Sequence, residues 1–424
     1  MRFTHAGPSS LFLRLLGVVY FVAFVSLAVQ IVGLIGHDGI LPTLAVGDNA
    51  LRTLCWGGAL AAILLVAGIT PAEPILVLLW LDYLVLSQLS SEFLSFQWDA
   101  LLLETGLIAV FAARGSRVGR WLMLWLLVRL MVGSGAIKLA SGDPTWRNLT
   151  AMTFHYETQP LPTPLAWYAH QLPLAFQKTS TVIVFAIELI VPWCVFLSRP
   201  WRVAGFVLLV GLQILIALTG NYAFFNLLSI VLCLPLLDDP DRARRSSRAT
   251  IVFAVITVPV SVLMFLWSLG IDFAPPLIRE VAAMIAPLRS VNGYGLFAVM
   301  TTTRDEIVVE GSNDGVTWKA YEFKYKPGDV ARRPAWVAPH QPRLDWQMWF
   351  ASLTTYENVP WYQNFCVRLL QGSPDVLRLM AYNPFPDAPP RYIRGELYRY
   401  HYGRDTWWTR ERIGAYSPAS TLRP

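Results

Sequence analysis

Nine ionisable or amide side chains lie inside or at the ends of long apolar runs of this 424-residue chain: Asp82, Gln88, Asp99, Glu104, Arg129, Lys138, Glu188, Gln213 and Asn226. A charged side chain in the hydrocarbon of a bilayer is costly unless it is paired or faces water. Counting along the runs places Asp82, Arg129 and Glu188 near the bilayer middle. We therefore predict an ion pair of Arg129 with Asp82 or Glu188, which would either fix helix register or belong to a water-accessible polar site.

A second group of candidate residues lies in the segment 140–179, which is dense in Pro, aromatic and His residues but nearly free of charge. Asp143 followed by Pro144 predicts the start of a short helix. His155, Glu157 and His170 are the only group that resembles metal ligands, and because one HxE spacing with a distant His is a weak signal, we predict neither a metal nor a cofactor. The candidate binding residues from both groups, with three from later segments, are Asp99, Glu104, Lys138, Asp143, Trp146, Arg147, His155, Tyr156, Glu157, His170, Asn221, Trp346 and Trp349.

These residues allow an enzymatic interpretation, although no spacing in the sequence supports the assignment of a catalytic residue. A desolvated Lys138 would act as a base, with Glu104 and His155 beside it, on a lipid or quinone-like substrate at the outer leaflet. Lys138 would equally extend to the membrane interface without any chemical role. The sequence contains no GxSxG, Walker, HExxH or GxGxxG motif that would enforce a reaction.

Composition identifies the environment of these residues. The chain is 55% hydrophobic and only 15% charged, against about 25% charged in an average soluble domain, which predicts an integral membrane protein. The net charge of +6 comes without a basic stripe interleaved with aromatics, so no nucleic-acid partner is predicted. Four dispersed cysteines without CxxC spacing predict no redox or zinc site.

About nine membrane spans are predicted from apolar runs in residues 1–270, which form the first domain together with the outer loop 140–179. The runs are 11–35, 54–70, 75–89, 98–113, 121–139, 181–197, 203–218, 222–237 and 249–269. Ten arginines fall on one side of this topology: Arg2, Arg114, Arg117, Arg120, Arg199, Arg202, Arg242, Arg244, Arg245 and Arg248. The positive-inside rule then predicts a cytoplasmic amino terminus and, with nine spans, a carboxyl-terminal domain on the opposite side.

The composition and the hydrophobic pattern of the sequence change after residue 270. Residues 271–294 read as a connector whose segment 275–290 would form an amphipathic helix on the membrane or a plain linking helix. Residues 295–424 read as a predominantly β domain, because residues 303–325 alternate like paired strands around a GSNDG turn at 311–315. The predicted fold class is thus a polytopic α-helical bundle followed by an extramembrane β domain.

Four segments carry a resemblance to the lipase maturation factor family of polytopic membrane proteins. They are WDALLLETG at 98–106, GAIKLASGDPTWRNLTAMTFHYETQPLPTPLAWYAHQLP at 135–173, QILIALTGNYAFFNLL at 213–228 and WVAPHQPRLDWQMWF at 336–350. Vertebrate members of that family are endoplasmic reticulum chaperones that dimeric secreted lipases need in order to fold and assemble. The resemblance therefore implies a membrane-anchored folding or assembly factor whose partners are the lipid bilayer and an exported client protein, a lipase being the first candidate.

Three functional classes remain open at this stage: the chaperone-like factor, the membrane enzyme, and a transporter or structural membrane protein. The first is favoured by tryptophans in the carboxyl-terminal part, because Trp, Tyr and Arg dominate binding hot spots, although each Trp is equally explained as domain core. On a helix, Trp346 and Trp349 would face the same way. The excess of 29 Arg over 5 Lys, with a single sequon at 148–150, predicts a bacterial inner-membrane protein with a periplasmic domain, or an endoplasmic reticulum protein in a eukaryote.

Overall fold

The computed structural model describes residues 8–90, 92–239, 243–273 and 275–422. Arg2 and Arg242, two of the arginines used to orient the chain, lie outside these residues. The membrane part begins with α1 (Pro8–Ala28), α2 (Ile31–Ile35), α3 (Asp48–Val66), α4 (Glu73–Leu89), α5 (Gln97–Ala112) and α6 (Arg117–Ala140). Three short helices of the outer loop follow: α7 (Pro144–Arg147), α8 (Ala151–Thr158) and α9 (Pro164–His170).

The remaining membrane helices are α10 (Leu174–Leu189), which continues as a 3-10 turn (Val191–Phe196), α11 (Arg199–Thr219), α12 (Phe225–Cys233) and α13 (Arg248–Ser268). Every predicted apolar run contains a helix, but in the described chain only six helical stretches are long and apolar enough to cross a membrane. The count of nine is therefore not confirmed. The other three are α4, α5 and α12, with 17, 16 and 9 residues, which at 1.5 Å per residue fall short of a hydrocarbon layer about 30 Å thick.

The connector forms α14 (Pro276–Ile285), where an amphipathic helix was expected. Its Leu277 and Met284 are 72% and 77% exposed. Its position on a membrane surface stays a prediction.

The carboxyl-terminal domain is built on an antiparallel sheet of β1 (Arg304–Ser312), β2 (Lys319–Ala320), β5 (Tyr392–Tyr402) and β6 (Trp408–Ser420), in the order β2-β1-β5-β6. A second sheet pairs β3 (Glu322–Phe323) with β4 (Met380–Tyr382). The hairpin expected around 311–315 is confirmed, because β1 and β2 pair with Glu310 opposite Ala320. Helices α15 (Arg343–Ser352), α16 (Pro360–Leu370) and α17 (Pro374–Leu377) were not predicted, and they add helical structure to the domain predicted as predominantly β.

One apolar core runs through both parts of the molecule. It extends without interruption from Phe12 and Leu16 in α1 to Trp346 in α15 and Ile393 in β5. The free energy gained by burying apolar surface is roughly proportional to the area removed from solvent. The shared core therefore stabilises the domain and the bundle as one body. All four cysteines are buried and free.

Candidate functional site

The charged residues of the membrane helices form two separate buried pairs. Arg129 of α6 forms an ion pair with Glu104 of α5, and both side chains are almost fully buried. The connector closes this pair: the Tyr294 hydroxyl donates to Glu104 Oε2 over 2.7 Å, and Arg129 Nη1 donates to the Asn292 carbonyl over 2.9 Å. The Glu104 carboxylate is therefore bound by the Arg129 guanidinium and the Tyr294 hydroxyl.

The second pair joins Lys138, near the end of α6, to Glu188 of α10. Lys138 Nζ donates to both carboxylate oxygens over 2.8 and 2.7 Å. The ammonium also lies 5.3 Å from the centre of the Trp146 ring, within the range of a cation–π interaction. The prediction that Arg129 pairs with Asp82 or Glu188 was thus wrong.

The partners differ from expectation because depth along a run does not determine which helix faces which. Helix α6 packs against both α5 and α10, and Lys138 lies nine residues beyond Arg129, about 13 Å along the helix axis. Glu188 meets α6 at the level of Lys138, while Glu104 meets it at the level of Arg129. Asp82 is separate from both pairs, and its buried Oδ1 has no hydrogen-bond partner among the described residues.

A small cavity of about 90 Å³ lies beside the Lys138–Glu188 pair. It brings together residues that the sequence singled out separately, Lys138, Trp146, His155 and Glu188, and Tyr222 also lines it. Most of the remaining lining is apolar. The space suits an acyl chain terminus or a few ordered waters rather than a protein segment.

His155 faces this cavity, and its Nε2 lies 3.4 Å from the Tyr222 hydroxyl, which donates to Gln159 Oε1 over 2.8 Å. Burial, with a smaller effect of the Lys138 charge, lowers the pKa of His155 to about 4. The imidazole is therefore neutral at physiological pH. Glu157 and His170 face the carboxyl-terminal domain instead, and among the residues described no three His, Cys, Asp or Glu side chains form a metal-binding group.

We expect acid to destabilise the protein through His155. The pKa of His155 is lower in the folded chain than its usual value of 6.5, so the contribution of the neutral imidazole to the free energy of unfolding is fully present above pH 6.5. This contribution is lost as the pH falls towards 4, and about 2 kcal/mol of it is lost at pH 5. His155→Gln should shrink the difference in thermal unfolding temperature between pH 7.5 and pH 5. An unchanged pH dependence in the variant would contradict this assignment.

Asp99 joins the carboxyl-terminal domain to the membrane helices through an ion pair with Arg343. Arg343, at the start of α15, donates from both Nη atoms to the Asp99 carboxylate, each over 2.9 Å, and the Tyr83 hydroxyl donates to the same carboxylate over 2.5 Å. Asp99 and Arg343 are 0% and 1% exposed. A bidentate guanidinium–carboxylate pair combines charge with fixed geometry, so this contact sets the position of α15.

The outer loop also binds the domain. Glu157 accepts a hydrogen bond from the Tyr402 backbone over 2.7 Å, and the Tyr402 hydroxyl donates to the Tyr156 carbonyl over 2.9 Å. The His170 ring packs edge-on to the Tyr402 ring at 5.3 Å. These three predicted binding residues therefore recognise the end of strand β5.

The predicted residues Asn221, Trp346 and Trp349 serve the same interface. The Asn221 side chain donates to the Ala335 carbonyl over 2.8 Å and accepts from the Val337 backbone over 2.8 Å. Trp346 lies edge-on to Trp98 of α5 at 4.8 Å, and Trp349 Nε1 donates to the Thr158 carbonyl over 3.0 Å. Both tryptophans are buried on one side of α15.

Asp143 caps α7 as expected, accepting from the Thr145 backbone over 2.7 Å. Its second oxygen accepts from the Met300 backbone over 2.5 Å, and although burial acts to raise the pKa of Asp143, these backbone donors hold it below its ordinary value. Trp146 Nε1 donates to the Phe297 carbonyl over 2.9 Å. Arg147 is exposed at the end of α7.

Sequence reasoning missed the partners that complete these contacts. Arg343, Asn292 and Tyr294 were not candidates, and neither was Arg304, which is fully buried and donates to the carbonyls of the outer loop at Glu157 and Pro160. A signal existed for Arg343 alone, since it lies within the resemblance segment 336–350. The other three could not be found from spacing in the sequence, because each contacts a partner more than 140 residues away in the chain.

Comparison with known proteins agrees with this architecture. The model of the lipase maturation factor transmembrane domain matches residues 8–46 and 43–244, and that of the lipase maturation factor C-terminal domain matches residues 290–418. Lipase maturation factor 2 of Xenopus laevis is 34% identical over 99% of this chain and 83% of its own length. The human lipase maturation factor 2 is 33% identical over 98% and 83%, and mouse lipase maturation factor 1 is 33% identical over 97% and 86%.

No solved structure matches the chain. The two family models together span most of it, and the relatives align across both the membrane helices and the carboxyl-terminal domain. The chain is therefore a multi-pass membrane protein that belongs to the lipase maturation factor family.

Proposed function

We propose that this chain is a membrane-anchored, chaperone-like maturation factor for an exported client protein, and that the client is a lipase. The observation that carries the proposal is the family match over both the membrane domain and the carboxyl-terminal domain, with relatives whose names describe lipase maturation. The geometry supports it, because the polar residues that an enzyme would use form ion pairs and hydrogen bonds within the chain. No observation favours the membrane-enzyme alternative.

The working surface that we propose is the exposed part of the carboxyl-terminal domain. Trp346, Trp349, Trp361 and Trp408 are buried and belong to the core. Trp336 differs from them, being 54% exposed. An exposed tryptophan on a rigid platform is a suitable anchor for apolar surface of a partly folded client.

Trp336→Ala should lower the specific activity of a co-expressed secreted lipase by fivefold or more if Trp336 is such an anchor, since removal of a hot-spot residue costs on the order of 1–2 kcal/mol of binding. The measurement is lipase activity per amount of secreted lipase, in cells that lack their own maturation factor. Trp56→Ala is the matched control, because Trp56 is a comparably exposed tryptophan, at 48%, on α3 of the membrane part. Equal lipase activity with both variants would remove Trp336 from the client surface.

We also propose that the arginine-rich end of the bundle faces the cytoplasm and that the carboxyl-terminal domain lies on the opposite side of the membrane, in the periplasm of a bacterium or the lumen of the endoplasmic reticulum. In support, the loops that precede α6 and α13 meet at one end, where the Arg117 backbone donates to the Arg244 carbonyl over 3.1 Å. Such a cluster of arginines in short loops is typical of the cytoplasmic side.

A reporter enzyme fused after Leu422 tests this orientation. We expect alkaline phosphatase, which requires export for activity, to be active there, and a cytoplasmic fluorescent reporter to be dark. A fluorescent fusion with inactive phosphatase would refute the orientation.

A further inference from the structure

A cavity of about 350 Å³ lies at the arginine-rich end of the bundle, and none of its lining residues takes part in the contacts with the carboxyl-terminal domain described above. Phe12 and Leu13 of α1, Met123 of α6 and Leu237 form apolar parts of its wall, and Arg120 is a charged part. Helix α6 begins here, with Ser116 as its capping residue. The cavity thus combines apolar surface with a buried cation.

Arg120 is only 8% exposed, yet its Nε and Nη2 atoms have no hydrogen-bond partner among the residues that the structure describes. Other buried arginines of the chain, such as Arg129 and Arg343, form ion pairs with carboxylates. Nε and Nη2 form one edge of the guanidinium group, and this edge binds two oxygens of a phosphate or carboxylate at once. Burying this guanidinium edge without hydrogen-bond acceptors costs free energy of folding, so an acceptor from outside the chain would stabilise the folded protein.

The charge around Arg120 limits which anion fits. Arg202, only 5% exposed and also with an unpartnered Nε, lies close enough to act on the Arg120 charge, as do Asp238 and Asp239. Neither carboxylate accepts a hydrogen bond from the two nitrogens of Arg120 named above. Arg199 also lines the cavity, so three arginines against two aspartates leave a net charge of about +1. This charge suits a singly charged phosphodiester better than a doubly charged phosphate ion.

Exposed aromatic side chains show the level of the membrane at which this cavity opens. Trp121, next to Arg120, is 40% exposed and stacks on Phe196 at 5.8 Å, while Trp193 is 46% and Trp201 is 64% exposed. Trp is enriched at the headgroup level of membrane proteins, where its ring lies between hydrocarbon and water. These exposed tryptophans near Arg120 support a position of its guanidinium at the depth of the lipid phosphates.

We propose that this cavity is a binding site for a phospholipid, whose headgroup phosphate accepts hydrogen bonds from the Nε–Nη2 edge of Arg120 while Phe12, Leu13 and Met123 contact the upper part of an acyl chain. The proposal is independent of the client. It concerns the end of the bundle opposite to the carboxyl-terminal domain and would hold if the client were not a lipase.

The test uses the full chain, purified in detergent and stripped of lipid, with thermal unfolding as the readout. Dihexanoyl phosphatidylcholine should raise the unfolding temperature by roughly 3–5 °C at saturation, because a ligand that binds only the folded state stabilises it. Dihexanoylglycerol, which lacks the phosphate, and inorganic phosphate at equal ionic strength should each give less than half of that shift. Arg120→Gln should lose most of the shift, whereas Arg117→Gln, which removes an exposed arginine one turn away, should keep it.

Arg120→Lys provides a second variant should Arg120→Gln fail to fold. It retains the charge but not the fork, so we expect half-maximal stabilisation at a roughly tenfold higher phospholipid concentration. Equal shifts from the phospholipid and the diglyceride, or an unchanged response in both Arg120 variants, would overturn the proposal. A shift from inorganic phosphate that matches the phospholipid would overturn the lipid assignment and identify a soluble phosphate as the ligand.

Discussion

Arg343→Ala should destabilise the protein by about 3–5 kcal/mol, because it leaves the Asp99 carboxylate buried without its cation. Arg343 and Asp99 are fully buried between α15 and α5, and the pair is joined by the Tyr83 hydroxyl. We expect a lower unfolding temperature and faster proteolysis within residues 295–422, since the lost contact positions α15 against the membrane helices. Differential scanning fluorimetry and limited proteolysis of the purified chain measure both effects.

Arg391→Ala is the matched control for this prediction. Arg391 is an exposed arginine of the same domain, and an exposed substitution of this kind typically changes stability by less than about 0.5 kcal/mol. The double variant Asp99→Asn with Arg343→Met should recover part of the lost stability, because no buried charge is left alone. Native-like unfolding of Arg343→Ala would show that the apolar interface holds the domain without the ion pair.

Lys138→Met is expected to have the second large effect, a loss of folded protein rather than a selective loss of activity. The substitution leaves Glu188 buried in the bundle with no cation, which costs about 3–5 kcal/mol. The double variant Lys138→Met with Glu188→Gln removes both charges and should restore the protein level and its support of lipase maturation. Lys178→Met, at an exposed position of α10, should behave like the native chain in both assays.

This pair of variants separates the two functional interpretations of Lys138. If Lys138 were a catalytic base, the double variant would be as abundant as the native chain but inactive. If the pair only joins α6 to α10, abundance and activity should return together. A double variant that is folded but fails to support lipase activity would argue against the purely structural role that its two hydrogen bonds to Glu188 indicate.

Local features of the sequence predicted local features of the structure well. Asp143 caps α7, the turn at 311–315 joins β1 to β2, and every apolar run contains a helix. These outcomes depend on residues that are close in the chain, where capping, turn geometry and hydrophobicity act directly. The number of spans was less predictable, since α5 is apolar enough for lipid but 10 of its 16 residues are buried inside the protein.

The polar residues show where prediction from sequence ended. Asp99, Glu157 and Asn221 were recognised as candidate binding residues, and in the structure each contacts the carboxyl-terminal domain of the same chain. The cost of leaving such a group unpaired is a local property and can be read from its position in an apolar run. The identity of its partner depends on contacts between residues that are more than 110 positions apart, as for Asn221 and Ala335 or Asp99 and Arg343.

The sequence by itself therefore determined that this is a multi-pass membrane protein whose helices are followed by a carboxyl-terminal region of β strands, and that its intramembrane charges must be neutralised. Hydrophobicity and the desolvation of charge are properties of single residues and short segments, so they are already present in the unfolded chain. Only the tertiary structure decided that Arg129 pairs with Glu104, Lys138 with Glu188 and Arg343 with Asp99. It alone decided these pairs because a guanidinium or an ammonium accepts any carboxylate, and packing of the shared core selects which one comes within reach.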